Sequence, residues 1–329
     1  MPGLRSIITV LCIWLTFPAL AESYRAPSAV ERLATADLRV ALIGYRLQTN
    51  NIPRCKAQMP ATGLLLHSLA QYPQSFRGQA MARWPFPAAV SIESVIPDSP
   101  AAHAGLRSGD GLLAIGDQTL PLGLAPGEPT TGLRDRAEDL LNTLPPSAPI
   151  SITIRREDRT LALAMLPVPA CRSKIEVAPG LKIAARSDGR TIQLGLAFVE
   201  RIDDDGLAVS IAHELAHTIL EHRKQLERLE GAGRRSKDLA RQFEDEADLL
   251  SLDLLRSAGW DPAIAPRFMR SQGKHYDPAM AGSGKHRSAE DRAKRMEHKI
   301  RSGGSALCRA EPHHAANRSK LCIVPRDAA

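Results

Sequence analysis

The sequence predicts an α+β fold: a body of helices beside a small sheet, split by an inserted β-rich unit. Three observations predict it. A run from Leu207 to Lys224 contains no Gly or Pro and carries the pentapeptide His213-Glu214-Leu215-Ala216-His217. A second apolar helix is expected from Glu244 to Ser257, with Gly259 as its stop. Between Cys55 and Cys171, by contrast, short apolar runs such as Val90–Ile96 and Ile150–Arg155 alternate with Gly- and Pro-containing turns, as short strands do.

At the N-terminus, Arg5 precedes an apolar stretch from Ile7 to Phe17 and then Pro18-Ala19-Leu20-Ala21. That is the pattern of a secretory signal peptide, with cleavage expected after Ala21. A stretch of about eleven residues is too short to span a bilayer. No later segment approaches the required apolar length, so no transmembrane segment is expected. Leu11 is too large for the small residue that precedes a lipidated cysteine, which leaves Cys12 to depart with the signal. The chain is therefore read as exported, to the periplasm or the medium. Four cysteines remain, Cys55, Cys171, Cys308 and Cys322, and an even count in an exported chain implies disulfides. Three pairings are possible; Cys55–Cys171 and Cys308–Cys322 are the expected ones. No close C-x-x-C spacing offers a thiolate metal site.

The chain of 329 residues is 43% hydrophobic and 4% aromatic, with a formal net charge of +7. Its Lys and Arg are dispersed and lack interleaved aromatics, so no nucleic-acid partner is expected. Residues 22–80 are read as the N-terminal helical part of the body, with a helix from Ala29 to about Gln48 whose apolar positions include Val30, Leu33, Leu38 and Ile43. Residues 81–168 form the inserted unit, and 169–329 the larger part of the body. Arg190 to Val199 is the best strand outside the insertion. Asp203, Asp204 and Asp205 supply caps and negative charge for the helix that follows.

Residues four apart share one helix face, so His213 and His217 can reach a single ion. Glu214, about 100° round the helix, can touch a water on that ion. Two imidazoles and an intervening carboxylate in this pattern are a zinc site with its own general base. A third ligand is needed from elsewhere. Glu244 and Glu246 are the candidates, and they point to different sides of their helix.

Here the chain resembles the M48 family of zinc metallopeptidases, which pair HExxH with E-x-x-A-D on a later helix ending in A-G-[YFW]-[DN]-P. This sequence has Glu244-Asp245-Glu246-Ala247-Asp248 and Ala258-Gly259-Trp260-Asp261-Pro262. The resemblance implies a zincin-like body holding one Zn²⁺ per chain on His213, His217 and Glu244, with Asp248 orienting a ligand histidine. It also implies that a strand before the zinc helix forms the sheet edge along which substrate lies. A third family block, His-Pro followed by Glu-Asp-Arg, is matched by His286 through Arg292, with Arg287 where Pro is usual and Lys285 where Thr is usual. By that resemblance His286 and Arg292 belong to the catalytic site, beside Glu214. The plain alternative is a basic surface turn before a helix from Asp291 to Ile300. The remaining histidines, His67, His103, His222, His275, His298, His313 and His314, lack a partner pattern and read as surface or packing residues.

Within the insertion, Ser99 to Leu112 matches S-P-A-x-x-A-G-L-x-x-G-D-x-[IL] residue by residue and resembles the PDZ domains of exported proteases. Such domains bind an extended peptide as an added strand beside a helix, here expected from Thr131 to Leu144. The carboxylate-binding loop is expected around Trp84 to Ala89, where no G-L-G-F-like sequence stands. The expected activity is hydrolysis of peptide bonds in misfolded envelope proteins. The alternative is a PDZ-type peptide-binding chaperone or adaptor with a structural or latent zinc site.

Overall fold

The computed structural model describes residues 26–123, 129–231, 237–276 and 287–302. The expected signal peptide, His286 and the pair Cys308–Cys322 lie outside the described residues, as do residues 232–236 between the two ligand helices.

Helix α1 (Ala29–Thr49) starts at a capping box, in which the Ser28 hydroxyl accepts from Glu31 N and the Glu31 carboxylate accepts from Ser28 N. Its buried face, including Val40, Ile43 and Leu47, joins the core of the body. Strand β1 (Gln58–Ala61) and then β2 (Leu64–His67) follow, and α2 (Gln74–Arg83) covers the start of α1 through Tyr72, Ala80 and Trp84. Next come β3 (Val90–Val95), a helical turn α3 (Pro100–His103), β4 (Gly111–Ile115), β5 (Gln118–Thr119), α4 (Gly132–Thr143), β6 (Ile150–Arg156) and β7 (Arg159–Met165). These build a mixed unit with the sheet order β2-β3-β4-β6-β7, β5 pairing with β4, and a core of its own that includes Ile92, Leu112, Ile152 and Ile154.

Two features of this unit differ from the expectation. Strand β2, placed by sequence in the part before 81, is the edge strand of this sheet. A four-residue run separated from β3 by the whole of α2 carries too little periodicity to be assigned to it. Moreover, Trp84 to Ala89 leads into β3, an interior strand, so it cannot open onto a free edge. The segment that does is Thr62–Gly63, where Gly63 has φ +81° and an added Cβ would stand 2.2 Å from Ser99. Only glycine fits there.

Strand β8 (Val168–Cys171) returns antiparallel to β1 with Ala61 opposite Val168 and Gln58 opposite Cys171. The Cys55–Cys171 disulfide clasps this ribbon and spans a sequence separation of 116. The body resumes with β9 (Lys174–Ala178), β10 (Ala185–Ser187) and β11 (Thr191–Gly195) in the order β10-β11-β9. The strand expected over 190–199 is therefore half a strand, because Leu196–Arg201 forms helix α5. It is also central: β10 and β9 are the edges, and β10 packs against the next helix more extensively than β11 does.

That helix, α6 (Asp204–Ile219), is capped by Asp203, whose Oδ1 accepts from Gly206 N at 2.8 Å. It is buried nearly all round from Gly206 to Ala216. The expected unbroken run to Lys224 stops at Leu220, and Glu221 with φ +56° turns the chain into α7 (His222–Gly231). Helix α8 (Lys237–Ser257) packs along α6, and α9 (Ile264–Tyr276) and α10 (Ala289–Ser302) close the body. At the end of α8, Gly259 takes φ +80°. The Arg46 guanidinium lies 4.0 Å over the Trp260 ring and would stand 2.6 Å from a Cβ at 259, which ties this motif to α1.

Candidate metal centre

Helix α6 presents His213 and His217 one turn apart, and α8 brings Glu244 against them. Glu244 Oε2 lies 3.2 Å from His213 Nε2 and 3.6 Å from His217 Nε2, and the two Nε2 atoms are 3.1 Å apart. Donors about 2.0–2.1 Å from one tetrahedral Zn²⁺ would stand roughly 3.3 Å from each other, so the three side chains fit that ion. Among the described residues this is the one group of three such side chains whose ligand atoms converge. Glu214, partly buried, follows the first histidine directly.

Behind His213 stands a buried charge chain. His213 Nδ1 is 3.0 Å from Asp248 Oδ1. Arg292 in turn grips both oxygens of Asp248, Nε to Oδ2 at 2.7 Å and Nη2 to Oδ1 at 2.6 Å. Burial opposes a charge on His213, but Asp248 and Glu244 outweigh it and lift the ring to about 10. Burial likewise opposes ionisation of Asp248, yet Arg292 and His213 prevail and hold it down at about 2. A carboxylate in this position holds the proton on Nδ1, so that an ion binding at Nε2 would displace the proton there and take up the lone pair that ligation requires. These contacts give Arg292 a positioning role towards His213 through Asp248. His286, its expected companion, lies outside the described residues.

His217 has a support that sequence reasoning missed. Its Nδ1 lies 2.8 Å from Nδ1 of His222, whose Nε2 is 3.1 Å from Glu246 Oε2. His222 is buried and stacks on Phe243 at 4.3 Å and 11°. Protons can be placed consistently along the row: Nδ1–H of His217 donates to Nδ1 of His222, and Nε2–H of His222 donates to Glu246. Burial, then the charge of His217, holds His222 down at about 4, which keeps it in the neutral form this row needs. Glu246, the rival third ligand, is thereby committed to His222. The break at Glu221 swings His222 back under His217, and nothing in the residue types foretells that positive φ. Arg287, the departure from the family pattern, has a partner as well: its Nε lies 2.9 Å from Asp245 on α8.

Comparison with known proteins bears on the inserted unit. The family model for PDZ domains matches residues 91–125. Bovine mitochondrial serine protease HTRA2 is 38% identical over 78 residues, which are 24% of this chain and 14% of that protein. Among solved structures, the HtrA3 PDZ domain bound to a phage-derived ligand is 16% identical, covering 34% of this chain and 89% of that one with a TM-score of 0.25. The HtrA-type protease AlgW with a decapeptide is 20% identical, covering 34% of this chain and 30% of that one, also with a TM-score of 0.25. No helix among the described residues is long and apolar enough to cross a membrane. The chain therefore contains a PDZ domain, set in a mixed α+β protein, with similarity to HtrA-type proteases.

Proposed function

We propose that this chain is an exported zinc-dependent endopeptidase of the zincin-like type that the M48 resemblance implies, with the PDZ domain engaging peptide segments of its protein substrates. The observation that carries the reading is the convergence of His213 Nε2, His217 Nε2 and Glu244 Oε2 at 3.1–3.6 Å, with Glu214 following His213 directly on the same helix. These three side chains would hold one Zn²⁺. When bound, the ion supplies a Lewis acid that polarises the scissile carbonyl and brings a water towards a pKa of about 7. Glu214 takes the water's proton on its carboxylate and passes it to the leaving amine, a role typically worth about 10²–10⁴ in rate. Asp248, kept ionised by Arg292, holds the Nδ1 proton of His213, and His222 does the same for His217. His286, placed at the site by the resemblance, would donate to the developing oxyanion. Misfolded envelope proteins are the substrates that the expected compartment and the PDZ domain suggest.

HTRA2 is a serine protease by name, but the match covers 14% of it, and the PDZ family model matches the inserted unit, not the metal-ligand helices. The catalytic reading rests on α6 and α8. The test is cleavage of an unfolded protein such as casein, with metal content measured in parallel. The wild type should cleave and a chelator should stop it, whereas Glu214→Gln should keep its zinc and its melting curve but not its turnover. Undiminished cleavage by Glu214→Gln, or inhibition by a serine-directed fluorophosphonate instead of a chelator, would overturn the reading.

A further inference from the structure

A cavity of about 190 Å³ opens where the edge of β2 and one face of α4 meet α1 and β9 of the body. Among the described strands β2 pairs with β3 alone, so its outer edge offers unpaired backbone groups to this space. An edge beside a helix is where a PDZ domain adds a peptide strand. Here the body supplies a further wall.

The charge of that lining is unbalanced. Asp37 from α1, Glu93 from β3, Glu138 from α4 and Glu176 from β9 face it, against Arg134 and Lys174. Both cations are committed: Lys174 Nζ lies 2.7 Å from Glu138 and 3.2 Å from Glu176, and Arg134 Nη2 lies 3.1 Å from Glu176 and 2.8 Å from Asp135. Neither Asp37 nor Glu93 has an ion pair among the described residues. Glu93 is 4% exposed and its Oε1 has no hydrogen-bond partner. A buried carboxylate without a partner is costly, and a cation arriving from outside would remove that cost.

A bare metal ion does not suit this lining, because these carboxylates do not converge as His213, His217 and Glu244 do. A peptide's terminal carboxylate would meet like charge. A long basic side chain, which can carry its cation into the space while its stem lies along the apolar lining, fits the sign of these groups.

We propose that β2, α4 and the adjoining body form a composite groove that takes an extended peptide segment and seats a lysine or arginine side chain with its cation against Asp37 and Glu93. The proposal extends the peptide-binding reading of the PDZ domain and is independent of the metal centre.

The experiment measures fluorescence anisotropy on the full chain with chelator present, so failure of the metal reading cannot affect it. The probes are fluorescein-labelled peptides of alternating Val and Thr with one central residue: Lys, Arg, norleucine or Glu. Lys and Arg peptides should bind at least about tenfold more tightly than the norleucine peptide at low salt, with the Glu peptide weakest and the advantage shrinking as salt rises. Glu93→Gln with Asp37→Asn should reduce the advantage to less than about threefold. Asp37→Asn alone, measured in parallel, should reduce it by an intermediate factor and carries the comparison if the double variant does not fold. Equal binding of Lys and norleucine peptides, a preference unchanged by the substitutions, or no binding of any probe would each overturn the proposal.

Discussion

His217 and His222 face each other nitrogen to nitrogen, Nδ1 to Nδ1 at 2.8 Å, although a helix break separates them. Only one of the two atoms can carry the proton in a neutral pair, and metal ligation through His217 Nε2 assigns it to His217. His222→Phe fills the space but cannot accept that proton. Zinc affinity, read by competition with a chelating dye, should fall by about 10–100-fold. An unchanged affinity would reduce His222 to a packing residue.

Arg292 and Asp248 form a buried pair at 2.6 and 2.7 Å, with both side chains at most 5% exposed. Removing one partner of such a pair strands the other charge, at a cost of about 3–5 kcal/mol. Arg292→Met should therefore lower the Tm by roughly 6–20 °C, at about 2–4 °C per kcal/mol for a chain of this size. Asp248→Leu combined with Arg292→Met should recover much of that loss without restoring zinc affinity, because His213 still lacks its orienting carboxylate. Full metal affinity in the double variant would show that Asp248 serves stability alone.

The Cys55–Cys171 link closes a long loop, with a separation of 116 residues. The loop-entropy relation gives about 5 kcal/mol for a loop of this length, before any enthalpic offset. Replacing both cysteines with serine should lower the denaturant midpoint, and adding reductant to the wild type should reproduce the shift. A reductant-insensitive wild type would refute the clasp.

Asp37 introduces a pH dependence of the opposite sense to ordinary acid denaturation. Burial, eased by Arg134 and the Val177 amide but reinforced by Glu176 and Glu138, pushes its carboxyl up to about 7. A carboxyl whose folded pKa is raised holds its proton more tightly when folded, so its contribution to stability falls as pH rises from about 4 to about 7 and is level outside that window. Asp37→Asn should raise the Tm at pH 8 by a few °C and change it little at pH 4. An equal shift at both values would indicate a packing effect instead.

Much of this arrangement was legible in residue types and spacing. The HExxH interval fixes one helical turn, so the shared face of His213 and His217 follows from 3.6 residues per turn. Glu244 and Asp248 are likewise one turn apart, which is why a single helix supplies both the candidate ligand and the residue behind His213. The turn Ser99–Leu112 is local, and α4 appears within a residue of its expected limits. What escaped depended on long-range pairing or on backbone angles. Strand β2 belongs to a sheet whose next strand begins more than twenty residues later, and its four-residue pattern fits several partners equally well. Helix α6 ends at Leu220 by a positive φ on a glutamate, a residue type that gives no such warning. The change from strand to helix at Gly195 is set by close packing, since a Cβ there would stand 2.6 Å from the Ile183 carbonyl.

The ladder of β1 and β8 ends where Ala61 faces Val168. Entry to and exit from the PDZ domain are thus neighbouring rungs, and the domain is strung between them like the loop of a very long hairpin. A short Asn-Gly turn could in principle join the two rungs, and a different module could be threaded through the same doorway. The stem would then act as an exchangeable socket, letting recognition be altered while the helices that hold the metal ligands keep their sequence.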